Sequence, residues 1–308
     1  MKRRTGIQNF KKQYRKKWKY VLAVIPSIFL LILLGIYPNI AVFPMSLYDW
    51  SPIRSEKIYV GLKNFRLMFT VGLEDTLKMA GNTAIYVLGL LVIQTILSLI
   101  LALALQKNTR KNKFFRAYFF LPMVFSATMV NMTWSFMYDP NLGIINNILA
   151  MLGVKGYPGV NFFAEDWRAV ILIVLVHIWH NIGYPLTILT SGLNTISEDL
   201  SEAAKIDGAT EWQTFKSITF PLLLPTVFRL ALLTITTGAM ATDYVVMLGS
   251  RANGMSFDTW SATMYKLTLG STDYGAVSAS GVVLFFILAT ASVIQFLGMR
   301  KVENKVLG

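Results

Sequence analysis

The stretch "EAAKIDGATEWQTF", residues 202–215, is an acidic, helix-favouring segment inside a chain that is otherwise strongly apolar. Ser197 can cap a helix whose first turn carries acidic residues, which favour the positive end of a helix dipole. Gly208 can end that helix in a left-handed conformation. Thr210 with Gln213 three residues later forms a capping-box pattern that starts a second helix. The stretch therefore predicts two short helices within residues 198–218.

Composition places this soluble-looking stretch in a membrane protein. Of the 308 residues, 54% are hydrophobic and only 15% are charged, and the mean hydropathy is +0.52. A soluble domain carries about a quarter charged residues. The chain has no cysteine, which excludes a disulfide framework and cysteine-based metal or redox sites. His177 and His180 are too few for a histidine-rich metal centre, so we expect no metal site.

Long uncharged runs predict six transmembrane helices. Each run reaches the roughly 20 residues that cross a bilayer as a helix, and alternating strands typical of a barrel are absent. The runs cover residues 20–48, 79–106, 117–138, 169–197, 220–247 and 274–299. The basic region before the first run is too long for a signal peptide, which predicts an uncleaved first span. The predicted organisation is a basic segment 1–19, a transmembrane domain 20–299 containing the loop 197–221, and a tail 300–308.

Basic residues predict the orientation in the membrane. Residues 1–19 hold nine Lys or Arg and no acid, and the 107–116 loop holds five. Lys and Arg are enriched in cytoplasmic loops, so both termini and the 107–116 loop are predicted to be cytoplasmic. The net charge of +13 is thereby explained as a topology signal and a contact with membrane lipid. We expect no binding of nucleic acid.

The longer segment "EAAKIDGATEWQTFKSITFPLLLP", residues 202–225, resembles the EAA loop of binding-protein-dependent ABC importer permeases. The matching positions are Glu202, Ala203, Ala204, Asp207, Gly208, Ala209, Phe215, Ile218 and Pro221, whereas Phe220 stands where Leu is usual. Residues 134–154 and 273–286 are similar to corresponding segments of the sugar branch of that family. The resemblance covers nearly the whole chain from the first span onward.

This resemblance implies an all-α fold of six transmembrane helices, like type I ABC importer permeases, with a cytoplasmic coupling helix between helices four and five. It implies a bacterial inner-membrane subunit that pairs with a second permease, two ATP-binding subunits and an extracytoplasmic solute-binding protein to import a sugar or oligosaccharide. The chain has no Walker A pattern, so ATP and Mg would bind the partner ATPase, and the chain itself would not be an enzyme. The residues implied in ATPase coupling are Glu202, Ala203, Ala204, Asp207, Gly208 and Phe215.

Polar and aromatic residues inside spans are candidates for the substrate pathway. They are His180, Asn181 and Tyr184 in the fourth span and Thr237, Met240 and Asp243 in the fifth. The family often has Phe-x-x-Phe-Asp in the fifth span, whereas this chain has "AMATD" at 239–243. The small residues around Ala239 leave space that suits either a wider cavity or close helix packing.

Other classes of protein remain open at this stage. An importer permease for an amino acid, phosphate or other non-sugar solute would share the loop. A secondary transporter would not need the loop, an ion channel would need a filter segment, and a membrane scaffold would need neither. Co-purification with an ATPase and a second permease distinguishes the importer from the rest.

Overall fold

A computed structural model describes residues 18, 20, 22–53, 56–249, 257–270 and 273–307 of this chain, and most of them are helical. The helices are α1 (Leu22–Met45), α2 (Lys63–Met68), α3 (Leu73–Ala104), α4 (Arg110–Val124), α5 (Ala127–Met137), α6 (Ile144–Met151), α7 (Asp166–Asn181), α8 (Gly183–Leu193), α9 (Glu198–Ile206), α10 (Glu211–Ala239), α11 (Thr242–Gly249), α12 (Trp260–Gly270) and α13 (Tyr274–Leu307). Strands β1 (Tyr48–Asp49) and β2 (Ile58–Tyr59) form a small antiparallel hairpin.

The helices that could cross a membrane follow the six predicted runs. Within the described residues, α1, α3, α10 and α13 are long and apolar enough to span, and the bent pairs α4–α5 and α7–α8 raise the count to as many as six. The predicted all-α membrane fold is confirmed. Some boundaries are corrected: Tyr48 lies in β1 rather than in the first span, and the helix of the fifth span ends at Ala239 rather than continuing to residue 247.

One compact unit comprises residues 1–70 and 271–283. In this unit, the Asn64 amide donates to the backbone oxygens of Ser46 (2.9 Å) and Tyr48 (3.1 Å), and so fixes the turn after α1. A Cβ at Gly275 would lie 1.9 Å from the Tyr48 oxygen, so only glycine permits this backbone approach. Helix α1 buries none of its most apolar 18-residue window, so its side chains are available to lipid or to another subunit.

The second unit, residues 71–270 and 284–308, contains the helical core. Two clusters of buried side chains hold it together, one around Leu90, Ile173 and Val245 and the other around Leu189 and Leu223. Without a hydrophobic driving force between helices in lipid, such packing depends on close contact. Gly183 permits such a close contact, because a Cβ at this position would lie 2.6 Å from the Phe120 Cα. Gly192 permits a second close contact, because a Cβ there would lie 2.8 Å from the Thr226 side chain.

Two of the predicted spans are sharply bent. Helices α7 and α8 meet at 56°, because Pro185 lacks an N–H and its ring clashes with the carbonyl of Asn181, four residues earlier. Helices α4 and α5 meet at 93°. There the backbone is extended at Phe125 and Ser126, and the Ser126 hydroxyl accepts from the Met129 N–H as the cap of a new helix. The third and fourth predicted spans are therefore bent helix pairs.

Arg229, the basic residue inside the fifth span, has a partner. Its Nη2 lies 2.9 Å from Glu303 Oε1 on α13. A charge within a span is costly unless it pairs or reaches water. The pairing also requires α13 to continue beyond the predicted end of the sixth span at residue 299, and the helix indeed extends into the segment predicted as a tail.

Candidate functional site

The first helix of the coupling loop (residues 197–221) forms as the sequence predicts. The Ser197 hydroxyl accepts from the Asp199 N–H at 3.3 Å, and α9 runs from Glu198 to Ile206. Gly208 has φ of +83°. Its N–H donates to Lys205 O at 3.1 Å, and the N–H of Ala209 donates to Ala204 O at 2.9 Å. This pair of bonds is a Schellman motif, which requires a left-handed residue after the helix. The predicted cap and stop signals are therefore confirmed.

The second predicted helix is not a separate short element. The Thr210–Gln213 capping box is present, with the Thr210 N–H donating to Gln213 Oε1 at 2.7 Å. The helix it starts, however, passes through one wide turn at Phe215–Thr219 and continues as α10 to Ala239. The loop is thus one short helix joined by a tight turn to the beginning of a long one, in which Pro221 follows shortly after the wide turn.

The loop exposes apolar side chains together with charged ones. Ile206 is 86% exposed and Trp212 is 68% exposed, and Trp212 stacks on Phe215 with ring centroids 5.5 Å apart. Of the residues implied in coupling, Ala204 is buried and Phe215 is half-buried, and the exposed ones are Glu202, Ala203, Asp207 and Gly208. The exposed apolar side chains of Leu200, Ile206 and Trp212 thus lie among exposed acidic and basic side chains. Ala204 therefore anchors α9 to its own subunit, whereas Glu202 and Ala203 are free to touch a partner.

The coupling loop and the basic 107–116 loop lie at the same end of the bundle. A cleft of about 640 Å³ is lined by Lys107 and Arg116 from one segment and by Glu198, Glu202 and Lys205 from the other. The two segments must therefore face the same side of a membrane.

A second cavity, of about 390 Å³, lies among helices α3, α7, α8, α10 and α11. Its polar lining is formed by Gln94, His177, Asn181, Tyr184, Thr234, Thr237 and Tyr244. The remaining lining is apolar and includes Met123, Pro185, Leu230, Leu233 and Ala241. The lining side chains combine hydrogen-bonding groups with aromatic and aliphatic surface, and the described lining contains no Asp, Glu, Lys or Arg.

A hydrogen-bond network centred on Tyr244 forms one wall of this cavity. His180 Nε2 lies 3.1 Å from the Phe125 carbonyl, so Nε2 donates and Nδ1 accepts from the Tyr244 hydroxyl. The same hydroxyl accepts from Asn181 Nδ2 at 2.7 Å. On the neighbouring turn, His177 Nδ1 pairs with the Tyr86 hydroxyl at 2.8 Å. Every member has a partner, so the network fixes the position of Asn181 beside the cavity.

The structure divides the six pathway candidates into three groups. Asn181, Tyr184 and Thr237 line the cavity. His180 is only 4% exposed and lies behind Tyr244, so it is a core residue of this subunit and supports the wall indirectly. Met240, 64% exposed, and Asp243 lie outside the cavity, on the surface where α10 ends and α11 begins. The helix break at Met240 separates Asp243 from the straight part of the fifth span.

The small residues near Ala239 have separate roles. Ala239 is 1% exposed, and a Cβ at Gly238 would lie 3.1 Å from Leu90 Cδ1, so both serve close packing against α3. Ala241 lines the cavity. The sequence left two uses of these small residues open. Ala239 and Gly238 are used for packing, whereas Ala241 leaves space in the cavity.

Sequence reasoning missed four polar members of the lining, which are Gln94, His177, Thr234 and Tyr244. Gln94 is the clearest, because it is an uncharged polar residue inside the apolar run 79–106, and such residues signal function in a span. Thr234 lies one turn before the candidate Thr237. Tyr244 adjoins Asp243, and only the helix break directs the tyrosine inward and the carboxylate outward.

The fold defines a class: a polytopic membrane subunit with a cavity that carries several polar groups and with an exposed helical loop between two of its spans. The chain belongs to the family of binding-protein-dependent transport system inner membrane components, whose model matches residues 94–306. The predicted family is thereby confirmed.

Relatives of known sequence match this chain over nearly its whole length. The multiple sugar-binding transport system permease protein MsmF of Streptococcus mutans is 28% identical over 95% of this chain and 99% of its own. The sn-glycerol-3-phosphate transport system permease protein UgpA of Escherichia coli is 27% identical over 95% and 97%. A chain of a bacterial ABC transporter involved in the import of alginate has the same fold, with a TM-score of 0.79 over 95% of this chain and 99% of that one, at 20% identity.

Proposed function

We propose that this chain is one of two unlike permease subunits in an ATP-driven importer that takes up a sugar or oligosaccharide across a bacterial inner membrane. Two cytosolic ATPases bind ATP and Mg, and the chain has no catalytic residue of its own. A solute-binding protein delivers substrate on the outer side, and both termini lie in the cytoplasm. The single observation that carries the proposal is the exposed helix α9, the docking helix, which is connected to two helices that line a cavity with several polar groups.

The connection between docking helix and cavity gives the mechanism. Helix α8 ends four residues before α9 begins, and α10 starts at the capping box after Gly208. Tyr184 and Pro185 on α8, and Thr234 and Thr237 on α10, line the cavity. An ATPase that moves α9 as a rigid body therefore moves two cavity walls together. The Schellman motif and the capping box make the turn stiff, so that movement is transmitted rather than absorbed.

The lining of the cavity favours a neutral, hydroxyl-rich substrate. The Gln94 amide and the Tyr184 hydroxyl can donate and accept hydrogen bonds. Asn181 and Thr237 already donate their hydrogens within the protein, so they can accept from a substrate. Aromatic faces complete the kind of surface that binds a sugar. The likeness to UgpA makes a phosphorylated polyol the second candidate. A phosphate is bound most strongly by Arg or Lys, and neither is among the described lining residues.

We assign the rest of the substrate pathway to the contact with the second permease subunit. Met240 and Asp243 are exposed in the single subunit, beside the cavity-lining Ala241. Since a carboxylate facing lipid costs several kcal/mol, we assign this surface to the contact with the second permease or to water between the two subunits. A neighbour of known structure, a bacterial alginate ABC transporter in complex with an alginate pentasaccharide-bound periplasmic protein, supports the assignment of a binding protein to the outer face.

Uptake by a conservative variant tests the substrate site. Tyr184→Phe removes a hydroxyl from the lining, and Tyr265→Phe, outside the cavity on α12, makes the same change elsewhere. Loss of one hydrogen bond of about 1 kcal/mol should raise the KM for the transported oligosaccharide about fivefold in the first variant only. Equal KM values in both variants would argue against this cavity as the substrate site.

Co-purification tests the assembly. An importer permease retains an ATPase and a second permease in mild detergent, whereas a secondary transporter is isolated without them. If the chain is isolated alone and still accumulates solute without ATP, the proposed function is wrong.

A further inference from the structure

An apolar groove, separate from the cavity that contains Asn181 and Tyr184, lies on the outside of the bundle. Its volume is about 520 Å³, it is open on one side, and none of its described lining residues is shared with the cavity. Helices α3, α4 and α7 contribute aliphatic and aromatic side chains, among them Ile100, Tyr118, Phe125, Trp179 and Ile182. Trp179 is 45% exposed although it belongs to a membrane-spanning segment. Such a groove must be filled by an apolar group in the assembled protein.

A stripe of side chains leads from a basic helix start into this groove. Lys111, Phe114 and Tyr118 are spaced by three and four residues on α4, so they lie on one face. All three are exposed, and Tyr118 lines the groove. Between residues 107 and 124 the sequence contains five basic residues and no acidic one. The groove is therefore continuous with a surface of positive charge.

We propose that the groove binds one acyl chain of an anionic phospholipid whose phosphate is held by Lys111. Seven residues separate Lys111 from Tyr118, which is about 10 Å along a helix. One leaflet of the hydrocarbon core is about 15 Å deep, so an acyl chain attached to a headgroup at Lys111 reaches the groove. Clusters of Lys and Arg beside the cytoplasmic end of a span attract anionic headgroups. The inference rests on the proposed membrane orientation of the 107–116 loop and does not depend on the solute carried.

Trp179 provides a direct reporter for the acyl chain. The full-length chain, purified with its partner subunits, is reconstituted in phosphatidylcholine vesicles that contain brominated-chain phosphatidylglycerol or brominated-chain phosphatidylcholine. Bromine quenches tryptophan fluorescence on contact, and subtraction of a Trp179→Phe variant isolates the signal of Trp179. We expect phosphatidylglycerol to quench that signal at a several-fold lower mole fraction than phosphatidylcholine.

Two variants test the headgroup contact. Lys111→Gln should abolish the preference for phosphatidylglycerol, whereas Lys301→Gln, an equal change of charge on exposed α13 surface, should preserve it. Mass spectrometry of lipids retained after detergent purification gives a second readout that does not need the tryptophan variant. Wild type should retain more phosphatidylglycerol than Lys111→Gln.

Three results would overturn the proposal. A Trp179 signal that neither brominated lipid quenches means that protein, for example the second permease, covers the groove. Equal quenching by the two lipids means that the site does not select anionic lipid. A preference that survives in Lys111→Gln, with unchanged lipid retention, means that the phosphate is held elsewhere.

Discussion

Replacing Gly208 by alanine should uncouple ATP hydrolysis from transport. Gly208 has φ of +83°, and a Cβ added there meets nothing within 4 Å, so the substitution strains the backbone without a steric clash inside the chain. A left-handed conformation costs an L-residue about 1–2 kcal/mol. That cost lowers the population of the native turn relative to alternatives by a factor of about 5–30. The turn lies between the docking helix and α10, so its loss should interrupt transmission to the cavity.

Gly153 offers a matched control. It follows α6 in the same way, with φ of +74°, an N–H bonded to Ala150 O at 3.0 Å, and open space around its Cα. Gly153→Ala therefore carries a similar strain in a segment predicted to lie on the opposite side of the membrane. Its ratio of uptake to hydrolysis should stay near that of wild type.

The assay uses the assembled importer in proteoliposomes, with the solute-binding protein present. ATP hydrolysis and solute uptake are measured in parallel, and the ratio of solute moved to ATP hydrolysed is compared. We expect this ratio to fall several-fold in Gly208→Ala. A ratio unchanged in Gly208→Ala, or reduced equally in both variants, would refute the view that this turn transmits motion.

Further predictions concern the cavity wall, the core and the topology. Tyr244→Phe leaves buried hydrogen-bonding groups without their hydroxyl partner, and should lower thermal stability by about 1–3 kcal/mol; an unchanged melting temperature would contradict the network. Ala241→Phe should block longer substrates while sparing short ones in uptake assays. Ala239→Phe overpacks a buried contact at a cost of about 1–3 kcal/mol, and should reduce the yield of assembled complex instead of altering substrate range. Phe10→Cys and Lys305→Cys should resist an impermeant thiol reagent in intact cells, a clean test because the chain lacks native cysteine, and labelling from outside would overturn the topology.

The coupling loop shows how far local sequence can go. Ser197, Gly208 and the Thr210–Gln213 pair act through hydrogen bonds that span no more than five residues, so their roles follow from the order of residues alone. The spans are predictable for a related reason. In lipid each helix must satisfy its own backbone, and a long uncharged run has few alternatives. The family follows from the same loop, because its signature is contiguous in sequence.

Tertiary structure alone decides which residues meet. His180, Asn181 and Tyr184 look equivalent in the sequence, yet the bend at Pro185 and the contact with Tyr244 bury the first and direct the other two to the cavity. The sequence places Asp243 in the same span, but the helix break at Met240 turns it to the outer surface. Hydropathy measures how well a segment dissolves in lipid, and it is the same for a straight helix and a broken one. Which residues line a cavity depends on how segments far apart in the chain pack together. Asn181 and Tyr244, for example, are 63 positions apart in the sequence, and only packing brings their side chains into contact.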